Sequence, residues 1–351
     1  MNGLKDFYRN KRVFITGHTG FKGSWLCKIL LNFGAEVCGY ALEPYEISLF
    51  NIAKIDVKNN FNDIRDLKAL KNAVNDFKPE IIIHMAAQPL VLESYKNPVY
   101  TYETNIMGTV NILEAVRECK SVRSFLNVTT DKVYENKEWP WGYRENERLC
   151  GLDPYSNSKS CSELITYSYK NSFFNDKNSP AVSTARAGNV IGGGDFTENR
   201  IIPDCVRAAL KGEKIILRNP KSIRPYQHVL ECLSGYLLLA IRQYENKEKY
   251  QGNYNFGPDE SDCVTTEFLA ENFCKLWGEN LSFEVKNNSE QPHEANILKL
   301  DCSLAKSILG WRQKWDIKKS LSEIVEWTKD YRSGVDLNIH MDKYINSFFD
   351  N

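Results

Sequence analysis

The segment Val13-Phe14-Ile15-Thr16-Gly17-His18-Thr19-Gly20-Phe21-Lys22-Gly23 limits what this chain can fold into more than any other. An apolar, β-branched run gives way to three glycines spaced three apart, and a helical period follows over residues 24–33. Without a Cβ the chain can turn sharply, so backbone N–H groups can close on a diphosphate, and the helix N-terminus adds partial positive charge. The same glycines would serve any tight turn. Their place between a strand and a helix is what favours a dinucleotide. Gly34 stands at the expected helix C-cap, and residues 35–40 return as a second strand.

The alternation continues. Ile81-Ile82-Ile83-His84, behind Pro79, is a continuous apolar run suited to the interior of a parallel sheet. Residues 109–119 read as helix, 124–128 as strand, 155–170 as helix and 182–187 as strand. Repeated β-then-α units with right-handed crossovers give an α/β class, a Rossmann-type doubly wound parallel sheet. After Gly188 the regularity ends: Gly192-Gly193-Gly194, Pro203, Pro220, Pro225 and Pro258 break the chain into shorter elements. The expected division is a dinucleotide-binding domain over 1–188, with 229–255 returning to it. Residues 189–228 and 256–351 then form a smaller α/β substrate-binding domain. A chain of 351 residues has room for both.

Lys plus Arg and Asp plus Glu balance at 45 each, so no overall field draws the chain to nucleic acid or membrane. An anionic ligand must be held by local groups. Ten cysteines without a Cys-x-x-Cys pair argue against a zinc site and a disulfide framework, and no metal is expected. Residues 1–11 are polar and charged, and no run approaches the roughly 18 apolar residues of a membrane span. A reduced, cytoplasmic setting is the expectation.

Tyr155-Ser156-Asn157-Ser158-Lys159 puts Tyr and Lys at i and i+4, on one face of a helix. A free Tyr titrates near 10 and a free Lys near 10.4. A neighbouring ammonium and an oxidised nicotinamide would bring the phenol toward neutrality, making Tyr155 a base. Asp63-Ile64 falls where a third strand should end; its carboxylate could take an adenine amino group or simply cap a helix. Tyr40 and Ala41 occupy the end of the second strand, where an acid for the ribose 2′-hydroxyl is often found, so the choice between NAD and NADP stays open.

The glycine turn, Asn105 in a helix, Thr129-Thr130 after a strand and Tyr155-x-x-x-Lys159 together resemble the extended short-chain dehydrogenase/reductases over nearly the whole chain. The resemblance implies NAD held by Gly17, His18, Thr19, Gly20, Phe21, Lys22, Gly23, Asp63, Ile64, Ala86, Ala87, Gln88, Asn105, Thr129, Tyr155 and Lys159. It also implies a nucleotide-sugar substrate gripped by the smaller domain, and a homodimer pairing helices near 99–119 and 155–170 as four helices. Thr130-Asp131-Lys132 narrows it. Simple epimerases carry Ser or Thr here without Asp, and 4,6-dehydratases carry Thr-Asp followed usually by Glu. Lys132 in the Glu place resembles the subgroup that dehydrates CDP-glucose. So do the stretches from His18 to Trp25, His84 to Val91 and Ala185 to Asp195, with Arg218-Asn219-Pro220 and Arg224-Pro225-Tyr226-Gln227-His228-Val229.

The implied chemistry removes water across C5 and C6 of a hexose after temporary oxidation at C4. Tyr155 takes the C4 hydroxyl proton and Thr130 hydrogen-bonds the same oxygen. Lys132 removes the C5 proton and Asp131 protonates the departing C6 hydroxyl. Lys132 then has to be neutral, through Lys159 and the cofactor, and Asp131 protonated, through burial. Asn189, Arg218, Arg224 and His228 are the implied diphosphate partners, bidentate arginine suiting phosphate. His84 is expected to pack or hydrogen-bond at its strand end, and Trp139, Trp141 and Tyr143 to pack. Rival readings are dehydration of another nucleotide hexose or heptose, an epimerase or reductase, and a non-catalytic dinucleotide sensor.

Overall fold

The structure, a computed structural model, describes residues 2–286 and 296–350. Its strands are β1 Arg12–Thr16, β2 Glu36–Ala41, β3 Lys58–Phe61, β4 Ile81–His84, β5 Ser124–Val128, β6 Ala181–Ala187, β7 Asn189–Ile191, β8 Ile215–Leu217, β9 Ile223–His228, β10 Asn253–Phe256, β11 Cys263–Thr265 and β12 Phe283–Val285. Seven of them form one sheet in the order β3-β2-β1-β4-β5-β6-β10, parallel at every step. Side-chain alternation explains why both faces are covered. Val13, Ile15, Ile81 and Ile83 join the core on one face, while Phe14 and Ile82 join the core on the other. The expected doubly wound sheet is present.

The direction of winding reverses between β1 and β4, and there the crevice for a ligand opens past the strand ends. The turn after β1 lies in that crevice. Its helix, Phe21–Asn32, begins three residues earlier than the hydrophobic period suggests and runs through Gly23. A Cβ on Gly23 would meet the Gly17 carbonyl oxygen at 2.2 Å, so the helix start can lie against the turn only with glycine there.

Past β6 the chain builds two small sheets, β11-β9-β7 and β12-β8, over a separate core that includes Ile202, Leu217, Phe273 and Leu321. The helix Val229–Glu245 and β10 return to the large sheet, β10 pairing with β6. The last helix, Leu337–Phe349, packs on Phe21–Asn32: the Phe33 and Phe349 rings lie 5.1 Å apart, and Lys28 pairs with Asp342 at 2.7 Å. Pro203 does not break a helix, contrary to expectation. It sits in the first turn of Ile201–Lys211, where a missing N–H costs nothing. Among the described residues no helix is long and apolar enough to cross a membrane.

Candidate active site

Gly17 follows β1 with φ +75°, and a Cβ there would stand 2.8 Å from the Ala86 nitrogen. The turn is therefore pressed against the segment after β4. Thr16 braces the same segment, its hydroxyl oxygen accepting from the N–H groups of Met85 and Ala86 at 3.1 Å. At Gly20 no side chain caps the helix Phe21–Asn32, so its first N–H groups are left to an anion. Such a tight, uncapped cradle fits a dinucleotide diphosphate. Thr19 instead turns away, donating to the Leu42 carbonyl at 3.0 Å, and Phe21 packs beside Gly192.

His18 explains the missing acid at the end of β2. Its buried ring lies over Gly39, where any Cβ would meet it at 2.2 Å, stacks on Phe61 and pairs with Asn59 at 2.8 Å. Burial, above all, lowers its pKa, so the ring is neutral. Asp63 is held by Arg65 through both carboxylate oxygens at 2.8 to 3.1 Å, and this pairing keeps it below the usual carboxylate range. Ile64 is buried beneath Gly108. Asn105 lies in a wide helical turn, Glu103–Met107, and is used up in structure. Its carbonyl oxygen accepts from Gln88 N–H at 2.8 Å, and its amide donates to the Gln88 carbonyl at 3.1 Å and the Ser158 hydroxyl at 2.8 Å. Asn105 thereby joins the segment Ala86-Ala87-Gln88 to the Tyr155 helix.

That helix, Pro154–Phe173, is capped by Asp153 and carries Tyr155 and Lys159 into the site, both buried. The Nζ of Lys159 donates to the Val128 carbonyl at 3.1 Å. After β5 the chain makes a short 3-10 turn, Asp131–Val133, whose cap is Thr130. The Thr130 hydroxyl donates to Asp131 Oδ1 at 2.9 Å and lies within hydrogen-bonding reach of Tyr155. Asp131 is fully buried, and among the described residues its Oδ2 has no hydrogen-bond partner. Lys132 is half-buried. Thr130 and Asp131 come together with Tyr155, Lys159 lies one helical turn beyond it, and Lys132 follows Asp131 in the 3-10 turn.

Burial pushes the Tyr155 phenol up to about 12, the Arg200 charge and the Thr130 bond opposing it. Lys159 is itself brought down to about 7, first by burial and then by the charge of Lys22, with Glu163 working the other way. In the protein alone, burial outweighs the pull of the Arg200 guanidinium and the Thr130 bond.

Two of the groups acting here have no local sequence signal. Arg200, ahead of the helix Ile201–Lys211, reaches Tyr155 and Lys22 only through tertiary folding. Arg186, on β6, is buried and ion-paired with Glu163 at 2.8 Å. Glu163 itself was findable, four residues past Lys159 on the same helix face. Lys22 extends inward from the glycine turn, its Nζ 6.0 Å from the Tyr236 ring centroid.

Three of the four expected diphosphate partners lie on paired strands: Asn189 on β7, and Arg224 and His228 on β9 beside it, while Arg218 follows β8. Asn189 opens β7, half-buried. Arg218 pairs with Asp204 at 2.9 Å and with Asn199 at 2.8 Å. Arg224 is buried, donating to the carbonyls of Ile223 and Asn296. His228 caps the helix Val229–Glu245, accepting from Leu230 N–H at 3.3 Å, and packs on Trp25 and Trp315. Burial brings its pKa to about 3, so it has no charge to offer a phosphate near neutral pH. His84 is bonded to Thr16 at 2.7 Å and neutral for the same reason. Trp139 and Tyr143 stack, while Trp141 is exposed.

Known proteins are consistent with this arrangement. The chain is 48% identical to a CDP-glucose 4,6-dehydratase of Salmonella typhimurium, over 98% of each. Its fold matches a dTDP-glucose 4,6-dehydratase of Bacillus anthracis in complex with NAD, with TM-score 0.78 and 22% identity over 93% of this chain and 99% of the other. It also matches a UDP-glucose 4-epimerase of Thermotoga maritima with UDP-glucose, with TM-score 0.80 and 21% identity over 91% and 99%. Residues 14–324 match the model of the GDP-mannose 4,6 dehydratase family, and the chain belongs to that family.

Proposed function

We propose that this chain removes water from CDP-glucose to give CDP-4-dehydro-6-deoxyglucose, with NAD as its resident cofactor. One observation carries the reading: a CDP-glucose 4,6-dehydratase shares 48% identity with it over 98% of its length. The buried Thr130-Asp131-Lys132 turn beside Tyr155 supports it.

NAD, when bound, supplies the two-electron acceptor for C4 and the donor for C6, and so ends each turnover unchanged. The glycine turn from Gly17 to Gly23 would hold its diphosphate. Asp63 and Ile64 would meet the adenine, and Ala86, Ala87, Gln88 and Thr129 would complete the walls, with Asn105 bracing them through Gln88 and Ser158. Tyr155 accepts the C4 hydroxyl proton, with Thr130 hydrogen-bonding that oxygen and Lys159 and Arg200 stabilising the phenolate. Lys132 removes the C5 proton. Asp131 protonates the C6 hydroxyl, which leaves as water; its unpartnered Oδ2 is the edge free to meet it. Lys132 returns its proton to C5, and the proton taken by Tyr155 restores Asp131 before the next cycle. Asn189, Arg218 and Arg224 would serve the substrate diphosphate, and the neutral His228 would add no charge to them.

Residues 1–188 with 229–255 bind the dinucleotide, and 189–228 with 256–351 grip the nucleotide sugar. Exposed Val99 and Met107, on the helical run 98–118, and exposed Leu164 and Tyr167, on the helix Pro154–Phe173, would be covered by a second copy in a homodimer. Ten free cysteines suit a cytoplasmic setting. GDP-mannose is the alternative substrate that the family description brings forward. Initial rates with CDP-, GDP-, dTDP- and UDP-hexoses separate the two: CDP-glucose is turned over fastest, and a higher kcat/KM for a GDP-hexose would replace it.

A further inference from the structure

Glu163 lies one helical turn beyond Lys159 and is fully buried. Its carboxylate accepts from the Thr129 hydroxyl at 2.5 Å, the Thr184 hydroxyl at 2.7 Å, and Arg186 Nε and Nη2 at 2.8 and 2.9 Å. The remaining arm of Arg186, Nη1, donates to the Tyr134 hydroxyl at 2.8 Å and the Glu145 carbonyl at 2.9 Å. Tyr134 passes the chain on to Asn255 of β10 at 2.7 Å. Thr129 directly precedes Thr130, and Tyr134 stands two residues after Lys132. One ion pair thus grips both ends of the Thr130-Asp131-Lys132 turn.

Fold stability alone is a poor reason for such a pair. Two charges taken wholly out of water recover their desolvation cost only with full hydrogen bonding, and an apolar pair of like volume often does as well. What an apolar pair could not do is place a fixed negative charge beside Lys159. Burial pushes the Glu163 carboxyl up, but Arg186, Thr129 and Thr184 together bring it below its ordinary value, so it is charged throughout the working range. Lys159 faces Lys22 from the Phe21–Asn32 helix, His84 from β4, and Tyr155 and Glu163 on its own helix. Asp131 and Arg200 face Tyr155 from the other side. Among the described residues, Glu163 is the group whose charge favours the ammonium form of Lys159.

We propose that Glu163 and Arg186 are positioning residues of the reaction: together they fix the Thr130–Lys132 turn, and Glu163 sets a buried negative charge one helical turn from Lys159. The proposal rests on the reading of Tyr155 and Lys159 as the site.

The test is a pH profile of kcat/KM and kcat for CDP-glucose with NAD present, on wild type, Tyr155→Phe, Glu163→Gln, Arg186→Lys and Tyr134→Phe. Loss of turnover in Tyr155→Phe upholds the reading beneath; retained turnover defeats that reading and the proposal with it. Glu163→Gln is expected to move the alkaline limb, where Lys159 loses its proton, about one unit toward acid. It is also expected to lower kcat about tenfold at pH 7 with KM little changed. Arg186→Lys keeps the charge but loses the fork, so kcat falls while the limb stays in place. Tyr134→Phe, the mildest change, decides the matter of the turn even if the charged variants do not fold: a kcat reduced about fivefold at unchanged KM supports it. An unmoved limb in Glu163→Gln, or full kcat in Tyr134→Phe, overturns the corresponding half of the proposal and leaves the site reading intact.

Discussion

The Nζ of Lys159 donates to the carbonyl oxygen of Val128 at 3.1 Å, fastening the helix that carries Tyr155 to the last residue of β5. The Thr130-Asp131-Lys132 turn begins two residues later. Helix and turn are therefore set against each other by the lysine that also stands beside Tyr155, and geometry and charge at this point cannot be varied independently.

Replacing Tyr155 with Phe removes the hydroxyl and keeps the ring that fills the site. Turnover is expected to fall by about a thousandfold, the contribution of a positioned base, while NAD still binds. Steady-state rates and a cofactor titration check both halves.

Arg200 is always charged, and its field lowers the Tyr155 pKa against the push of burial. Arg200→Gln removes that help, so Tyr155 ionises at higher pH. The ascending limb of kcat should move upward by about half a unit, a modest shift because this arginine is partly exposed. A downward shift would mean that Arg200 does not act on the base.

Asp131→Asn separates oxidation from dehydration. Asparagine cannot deliver a proton to the C6 hydroxyl, so water loss slows about a hundredfold while oxidation at C4 continues. Mixing enzyme with CDP-glucose should then build up reduced nicotinamide absorbance that wild type does not accumulate.

Glu231 gives a stability prediction. It is fully buried, accepting from Trp315 N–H at 2.7 Å and Lys314 N–H at 3.0 Å, and burial above all raises its pKa to about 7. A carboxyl whose folded pKa exceeds its unfolded value adds stability below the unfolded pKa and loses it as pH rises through the folded one. Glu231→Gln should therefore gain in Tm relative to wild type between pH 4.5 and 7. A difference independent of pH contradicts the assignment.

Leu164 and Tyr167 are exposed on the helix that also carries the site. Leu164→Glu puts a charge into the proposed contact between copies and is expected to give monomers in sedimentation velocity, where wild type runs as a dimer.

Much of this was legible in the sequence because it is local. The continuous run Ile81-Ile82-Ile83-His84 is a strand over those four residues, since a strand buried on both faces needs no alternation. Lys159 faces the same way as Tyr155 because four residues make about one helical turn. The helix start at Phe21 was hidden by Gly23, a residue ordinarily read against helix, which is needed there for close approach to Gly17. The short helix Val91–Lys96 carries no clear period, and no element was expected over it. Arg186 and Arg200 could not be found from spacing, because β6 and the second unit bring them to Tyr134 and Tyr155 from far along the chain. The burial that raises the Tyr155 phenol could not be read from spacing either, because burial is a property of the fold.

The central claim is water loss from CDP-glucose with temporary oxidation at C4, and it is tested most directly by incubating the purified protein with NAD and CDP-glucose in deuterated water. The expected product is lighter by one water, carries a keto group at C4 and has solvent deuterium at C5. Unchanged CDP-glucose, or a product that has kept its water, would contradict the account.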